Sequence, residues 1–366
     1  MNIAAPRVDL AALRAPFPYL NERVYLDTAA AGLCWQGHGA AVSRFFDTVK
    51  SRGYDAAPQW RAETSRLRAR LAAWLGCDVE GLSFTSNTTE GLNLVAHSIR
   101  WREGDRIVLA ADEFPSVAAV WEPARRAGAV VTAIAIDDET QREDRLIEAL
   151  AGGARLLAVS HVHWSTGTRL DLARLAAACQ AQDCLLLVDG MQGLGATETQ
   201  LSGVDFYAAS CFKWLLSGFG IGLLSTSARG RTALAPAWRG YANLDSSSSL
   251  QYAHVNMPGV YGLAASLDFL EGVGWPLIHQ RVRQLADHCN ASARRLGFDV
   301  VTPAAACAGI QILRCAQADA LQAALAAEGI SVSARGNGVR ISPHYYNTIA
   351  EIDHCLDRAA NWLAAR

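Results

Sequence analysis

The sequence predicts a two-domain α/β protein, with a large, mostly parallel seven-stranded sheet domain and a smaller α+β C-terminal domain. Three observations lead to this fold class. The chain has 366 residues, which at about 150 residues per domain suits two or three domains. Short apolar runs alternate with longer helical patterns, as in βα units with parallel strands. After Pro258 this alternation gives way to a long helical pattern and then short strands.

The elements follow in chain order. Seven apolar runs are predicted as strands of the large sheet: Leu82–Thr85, Arg106–Ala110, Val130–Ala135, Leu156–Ser160, Leu185–Val188, Phe206–Ala209 and Ile221–Ser225. Helical patterns between them include Thr64–Leu75, Thr89–Ile99, Val117–Ala127 and Leu172–Ala181. The C-terminal part adds a helical pattern from Pro258 to about Leu296, a last helix, and strands at Gly309–Leu313, Ile330–Ser333 and Val339–Ser342. We therefore expect an N-terminal segment (residues 1–20) packing near the small domain, a large domain (21–254) and a small domain (255–366).

Composition limits the classes of function. Apolar residues make up 51% and charged residues 19%, which excludes a mainly disordered chain. The 33 Lys and Arg residues against 35 Asp and Glu leave no basic surplus, so nucleic acid is not an expected partner. No apolar run reaches the roughly 20 residues that span a bilayer, and charges interrupt the N-terminal apolar residues, which argues against a secretory signal. Nine cysteines without a CxxC pair suit a reducing cytoplasm.

Asp189 and Lys213 are the first residues that indicate chemistry. Asp189 ends a fully apolar run, which places its carboxylate at the sheet edge where ligands of open α/β sheets bind. Lys213 lies among apolar residues just after the next strand, where desolvation lowers the pKa of an amine. A neutral amine is what a Schiff base requires. A lysine that reaches the surface between core residues is the alternative interpretation.

Thr88 and Thr89 form a second motif, because they join a strand directly to a helix. Free N–H groups at a helix N-terminus, together with hydroxyl groups, bind phosphate. An ordinary helix cap by Asn87 or Thr88 is the alternative. A phosphate site, a strand-end carboxylate and an apolar lysine are together the three contacts that pyridoxal 5'-phosphate needs.

His161 and His163 alternate at the end of a predicted strand, so we expect both side chains on one face. We predict that one of them, His163, acts as an acid or base on the substrate. A hydrogen-bonded structural histidine is the alternative. A metal site is not expected, because no third ligand lies at metal-like spacing.

With these motifs in place, the sequence resembles the class V aminotransferase family of fold-type I PLP-dependent transferases. Its cysteine desulfurase/selenocysteine lyase and isopenicillin-N-epimerase-like branch is the most similar. The resemblance runs from Tyr25–Ala30 to Tyr346–Asp353, nearly the whole chain. It implies that Lys213 forms an imine with the cofactor and that Asp189 faces the ring nitrogen. Further implied contacts are Phe114 stacked on the ring, Gln192 and Trp164 near the phenolic oxygen, and Thr88, Thr89 and Ser210 at the phosphate.

The resemblance also assigns residues to the substrate and to a second subunit. Arg340 matches the family's carboxylate-binding arginine, which would grip the α-carboxylate of an amino-acid substrate by a bidentate pair. His254 takes the position of a phosphate contact that a neighbouring subunit contributes. The family therefore implies a homodimer with shared active sites.

The sequence departs from the desulfurase pattern at the site. Desulfurases carry a nucleophilic cysteine on a loop before the carboxylate-binding arginine, whereas Ser333–Gly338 leads almost directly into Arg340 without a cysteine. Cys34 or Cys211 could approach the site instead, although free cysteines are usually small buried hydrophobes. The pocket is also more aromatic, because Phe114, Phe212 and Trp164 replace two histidines and an asparagine.

Because the most similar members of the family cleave carbon–sulfur or carbon–selenium bonds, the resemblance implies a β-eliminating C–S lyase, which acts on a cysteine-derived amino acid through an external aldimine. The missing cysteine makes elimination easier to explain than persulfide transfer. An aminotransferase or an amino-acid epimerase is the alternative, and a cysteine desulfurase is less favoured because its loop is absent. A nucleotide-binding oxidoreductase fits poorly, since the glycines of 190–195 and 218–222 form no GxGxxG motif. A non-catalytic relative would not need Asp189, Lys213 and Arg340 together.

Overall fold

The computed structural model describes residues 9–246 and 248–365. Its strands in chain order are β1 (Val24–Tyr25), β2 (Leu82–Thr85), β3 (Arg106–Ala110), β4 (Val130–Ile134), β5 (Leu156–Ser160), β6 (Leu185–Asp189), β7 (Phe206–Ser210), β8 (Gly222–Thr226), β9 (Gln311–Arg314), β10 (Ile330–Ser331), β11 (Ser333–Arg335) and β12 (Gly338–Ile341). Its α-helices are α1 (Leu10–Arg14), α2 (His38–Arg52), α3 (Ala57–Leu75), α4 (Thr88–Ser98), α5 (Pro115–Ala119), α6 (Glu122–Arg126), α7 (Arg142–Glu148), α8 (Leu172–Ala181), α9 (Ala228–Thr232), α10 (Met257–Val273), α11 (Trp275–Arg295), α12 (Ala318–Ala327) and α13 (Ile349–Ala364).

The large sheet has the predicted seven strands in the order β2-β8-β7-β6-β5-β3-β4. Only β8 runs antiparallel to its neighbours, β2 and β7, so the sheet is mostly parallel, as the fold class predicts. Strands β5 to β8 are buried along their whole length. Helices therefore cover both faces of the sheet, and an apolar cluster lies on each side. The carboxyl ends of β5, β6 and β7 meet at one edge.

Two predicted helical patterns are each divided into two helices. The Val117–Ala127 pattern is interrupted between α5 and α6, because Pro123 lies in the first turn of α6, where a missing N–H costs nothing. The long pattern after Pro258 is divided at Gly274, which adopts a φ of 95° between α10 and α11. Periodicity alone does not reveal such interruptions, because the apolar face continues across them.

The C-terminal part forms a separate three-stranded antiparallel sheet in the order β11-β12-β9, with its own apolar cluster among α11, α12 and α13. The N-terminal region joins it, since β1 pairs with β10 in parallel and Arg14 forms an ion pair with Glu351 at 2.9 Å. Residues 24–25, which the sequence assigns to the large domain, thus pair with a strand of the C-terminal part. Residues 1–8 of the predicted N-terminal segment lie outside the described residues. Nowhere in the described part of the chain is a helix both long and apolar enough to cross a membrane.

Candidate active site

A cavity of about 250 Å³ lies at the carboxyl ends of β5 and β6, between the large sheet and the β11–β12 hairpin. Six residues that the sequence singled out line it: Phe114, Trp164, Asp189, Gln192, Lys213 and Arg340. The fold brings them together because the parallel strands place their following residues at one edge, and the hairpin of the small domain covers that edge. Arg335 lines the same cavity, although the sequence analysis did not assign it a role.

Lys213 follows β7 and presents a largely buried amine to the cavity. Its pKa is lowered from 10.5 to about 7, chiefly by burial and then by the Arg340 charge, while Asp189 partly offsets both. In the described part of the chain the amine forms no ion pair. The backbone is fixed by a close approach, since a Cβ on Gly32 would lie 1.9 Å from the Lys213 carbonyl oxygen. The amine is thus held close to half-neutral at neutral pH, which is the state predicted from its apolar neighbours.

Asp189 ends β6 with its carboxylate buried. One carboxylate oxygen accepts a hydrogen bond from the Met191 backbone N–H at 2.8 Å. Burial nevertheless raises the pKa of this carboxyl to about 6, against the lowering effects of that hydrogen bond and of Lys213. A buried carboxylate with so little compensation is suited to a cationic partner that arrives with a ligand.

Arg340, on β12, is the buried cation of the opposite wall. Its guanidinium lies 3.4 Å from Asp27 and donates to the Trp164 carbonyl oxygen at 3.3 Å. Burial lowers the pKa of Arg340 to about 10, and its Nε has no hydrogen-bond partner. An orphaned buried N–H in a cavity wall fits an incoming carboxylate.

The aromatic residues and Gln192 shape the cavity between these charges. The rings of Phe114 and Trp164 meet edge-to-face at 5.7 Å, and the Trp164 indole donates to the Asp112 carbonyl oxygen at 3.1 Å. Gln192 is held on both sides: its amide donates to the Ala29 carbonyl oxygen and accepts from the Trp214 indole, each at 3.0 Å. The wall around the predicted cofactor ring is therefore rigid and largely apolar.

Thr88 and Ser210 lie together at the N-terminus of α4, as a shared phosphate site requires. The Thr88 N–H donates to Ser210 Oγ, and the Ser210 N–H donates to Thr88 Oγ1, both at 2.8 Å. Thr89 lies one residue further along, with its hydroxyl 2.8 Å from that of Ser116. The alternative role of a helix cap falls to Asn87, whose side chain accepts from the Glu90 N–H at 2.9 Å. Asn87 therefore caps the helix, and the phosphate site at Thr88, Thr89 and Ser210 stays a prediction.

His163 is not one of the described residues that line the cavity. β5 ends at Ser160, so His161 and His163 both lie beyond the strand and have different surroundings. His163 Nε2 lies 3.0 Å from the Asp112 carbonyl oxygen, and its Nδ1 lies 3.0 Å from Thr166 Oγ1. Burial lowers the pKa of His163. With both ring nitrogens engaged, this geometry favours the structural alternative over proton exchange with a substrate.

His254 lies away from this cavity, in a separate groove. Its Nδ1 is 2.9 Å from the Tyr241 hydroxyl oxygen. The two cysteines considered for the site differ in setting: Cys34 is exposed and Cys211 is fully buried. Burial raises the pKa of the Cys211 thiol to about 12, so it is not an activated nucleophile.

Sequence reasoning missed two supporting acids as well as Arg335. Asp27 accepts from the Ser333 hydroxyl at 2.6 Å besides facing Arg340, and so ties the N-terminal region to the hairpin. Glu113 is buried and accepts from both the N–H and the hydroxyl of Ser160, at 3.0 and 2.6 Å. Neither contact has a local sequence signal, since each joins distant parts of the chain. The available hint was that Asp27 lies within the Tyr25–Ala30 segment matched to the family and that Glu113 directly precedes Phe114.

Comparisons with known proteins bear on the family and the fold of this chain. The family model described as aminotransferase class-V matches residues 24–355. A probable cysteine desulfurase of Methanothermobacter thermautotrophicus is 25% identical, over 93% of this chain and 94% of that protein. The isopenicillin N epimerase of Amycolatopsis lactamdurans is 29% identical, over 92% and 96%. The solved structure of the cystine C-S lyase C-DES with its product cysteine persulfide superposes with a TM-score of 0.87 at 23% identity, over 94% and 99%.

Proposed function

The chain belongs to the aminotransferase class-V family of pyridoxal-phosphate enzymes, and from this premise we propose that it cleaves a carbon–sulfur bond by β-elimination. The substrate class is a cysteine-derived amino acid. The observation that carries this choice is the cavity wall, where no described residue is a cysteine. A desulfurase needs a nucleophilic thiolate there, whereas β-elimination needs only an amine base and an electron-withdrawing cofactor.

The residues of the cavity fit pyridoxal phosphate. When bound, the cofactor supplies an aldehyde carbon and a protonated ring that withdraws electrons from the substrate α-carbon. Lys213 would hold the aldehyde, and Asp189, a buried carboxylate in need of a cation, would hold the ring nitrogen. The other residues that would hold the cofactor are Phe114 at the ring, Trp164 and Gln192 near the phenolic oxygen, and Thr88, Thr89 and Ser210 at the phosphate.

Arg340 and Lys213 act on the substrate itself in this proposal. The orphaned Nε–H of Arg340 and its neighbouring Nη–H form the planar pair that a carboxylate accepts. That contact fixes the α-carbon on the side of Lys213. Because the pKa of Lys213 is about 7, a large fraction of its amine is neutral at neutral pH and can accept the α-proton.

The net reaction balances without an oxidant or a reductant. The substrate amine displaces Lys213 Nζ from the aldehyde carbon, which frees this amine to take the α-proton. The Cβ–S bond then breaks, and its electron pair leaves with sulfur, which receives a proton to become a thiol. Water then releases the three-carbon remainder as pyruvate and ammonium. A cysteine S-conjugate plus water thus gives a thiol, pyruvate and ammonium, with no persulfide on the protein.

The alternatives of the sequence analysis lack comparable support. Epimerisation requires a second base on the face opposite Lys213, and the described cavity wall offers Asp189, which the ring nitrogen would engage, as its sole other base. Transamination requires no residue that elimination lacks. Elimination and transamination therefore differ in their products, which the assay below measures.

We also propose that the enzyme is a homodimer in which His254 approaches the cofactor phosphate of the second copy. The groove beside His254 has a volume of about 590 Å³. Large apolar side chains remain exposed near it, with Tyr54 80% and Tyr241 66% exposed. A second copy would cover them, since monomeric proteins rarely leave such patches open.

The test is the product pattern of purified holoenzyme with L-cystine and with S-substituted cysteines. We expect pyruvate and ammonia in equal amounts and no alanine. Release of alanine together with a protein-bound persulfide would show a desulfurase, and loss of chirality without pyruvate would show an epimerase. Lys213→Ala should abolish turnover. Lys50→Ala is the matched control, because Lys50 and Lys213 are the two lysines of the chain.

A further inference from the structure

The β11–β12 hairpin presents two arginines to the cavity. Ser333 pairs with Arg340 and Arg335 pairs with Gly338 across the hairpin. Arg335 is therefore the diagonal neighbour of Arg340 on the same face, at a Cα spacing of about 7–8 Å. Both residues line the cavity that contains Lys213.

Arg335 lacks a carboxylate partner among the described residues. Among those residues, the guanidinium of Arg335 donates one hydrogen bond, to the adjacent Ala334 carbonyl oxygen at 2.7 Å. Asp27 is already shared between Arg340 and the Ser333 hydroxyl. Arg335 also lowers the pKa of both Lys213 and Arg340, so the two guanidinium groups repel each other beside the Lys213 amine.

An amino-acid substrate with one carboxylate would satisfy Arg340 alone. Asp189 does not compensate Arg335 either, since the proposed function engages it with the cofactor ring. One guanidinium would then remain unpaired in a half-buried wall, which is costly. A substrate with a second anionic group would relieve the repulsion and use the forked donors of Arg335.

We propose that Arg335 is a specificity-determining residue that binds an anionic group on the sulfur substituent of the substrate. The substrate class is thereby a cysteine S-conjugate whose substituent ends in a carboxylate or a sulfonate, as cystine does with its second carboxylate. This inference rests on the proposed function for the identity of the cavity as the substrate site. It does not depend on which bond is cleaved.

Two isosteric compounds test the inference by activity. S-carboxymethyl-L-cysteine and S-carbamoylmethyl-L-cysteine differ only in the charge of the terminal group. We expect the holoenzyme to prefer the carboxylate by at least about tenfold in kcat/KM, and Arg335→Met to lower this ratio by about 10- to 100-fold. Arg314→Met is the matched control, because Arg314 is an exposed arginine of the same sheet, paired with Asp299 at 2.7 Å.

Calorimetry separates this inference from the reaction type. The analogue 3-(carboxymethylthio)propanoate and its carbamoylmethyl counterpart lack the amine and cannot react, so their binding to holoenzyme reports recognition alone. We expect tighter binding of the dianion, lost in Arg335→Met and retained in Arg314→Met. Equal binding of the two analogues, or an equal loss for both in Arg335→Met, would overturn the inference. Preferential dianion binding by an enzyme that forms no pyruvate would refute the proposed elimination and leave the role of Arg335 standing.

Discussion

Replacing Lys213 with methionine should stabilise the cofactor-free protein, because the folded state holds an amine that prefers to be charged in water. The pKa of Lys213 falls from 10.5 to about 7 on folding. At about 1.36 kcal/mol per pKa unit, this difference lowers the free energy of unfolding by about 5 kcal/mol at pH values where the amine is protonated in both the folded and the unfolded state. That cost is a large part of the net stability of an ordinary domain.

The direction of the pKa shift determines how the effect of Lys213→Met on stability changes with pH. Because the pKa of the folded state is depressed, the unfolded chain binds more protons between pH 7 and 10.5, and the stability of the wild-type protein rises with pH in that window. The gain in free energy of unfolding of Lys213→Met over the wild type should therefore fall from about 5 kcal/mol near pH 6.5 to about 2 kcal/mol near pH 9. Burial of the methionine side chain adds the same amount at both pH values.

Urea unfolding of the cofactor-free protein, followed by tryptophan fluorescence at the two pH values, measures both quantities. Lys50→Met is the control, since the side chain of Lys50 is 82% exposed. Its effect should stay within about 0.5 kcal/mol, as for ordinary surface changes. A stability gain in Lys213→Met that does not change with pH would refute the assignment of a depressed pKa to this amine.

Two further predictions concern the groups around Lys213. Asp189→Asn should weaken pyridoxal-phosphate binding about 10- to 100-fold in an absorbance titration. Because the pKa of Asp189 is about 6, the wild-type affinity should fall more steeply below that pH than the affinity of the variant, in which protonation of Lys213 still weakens binding. An unchanged dissociation constant in Asp189→Asn would contradict the pairing with the ring nitrogen. His163→Gln should lower kcat by less than about tenfold and leave the pH profile of kcat unchanged, because both ring nitrogens are bonded within the protein. If one of the two pH-dependent arms of the kcat profile disappeared in the variant, His163 would instead act as an acid or base.

The fold was predictable because the strands of the large sheet are continuous apolar runs in the sequence. Strands buried on both faces need no alternation, so runs such as Leu185–Asp189 stand out from the helical patterns. The helix breaks at Pro123 and Gly274 were not predicted, because an apolar face continues through both. The pairing of β1 with β10 was missed for another reason: each strand has just two residues, too few for any pattern.

The site was predictable where a residue follows directly from a strand end or a helix start. Asp189, Lys213 and Thr88 are of this kind, and all lie at the expected edge of the sheet. Contacts that join distant segments have no such signal, which is why Asp27 and Arg335 were missed. The role of His163 stays a prediction: because the strand ends at Ser160, alternation along it does not determine which face this side chain takes.

The central claim is that the amine of Lys213 carries the cofactor. Because the chain has two lysines, Lys50 and Lys213, borohydride reduction of the holoenzyme followed by peptide mapping decides it directly. We expect the reduced pyridoxyl group on the peptide that contains Lys213 and bleaching of the absorbance of the bound cofactor. A label on Lys50, or a protein that reduces without any labelled lysine, would contradict it.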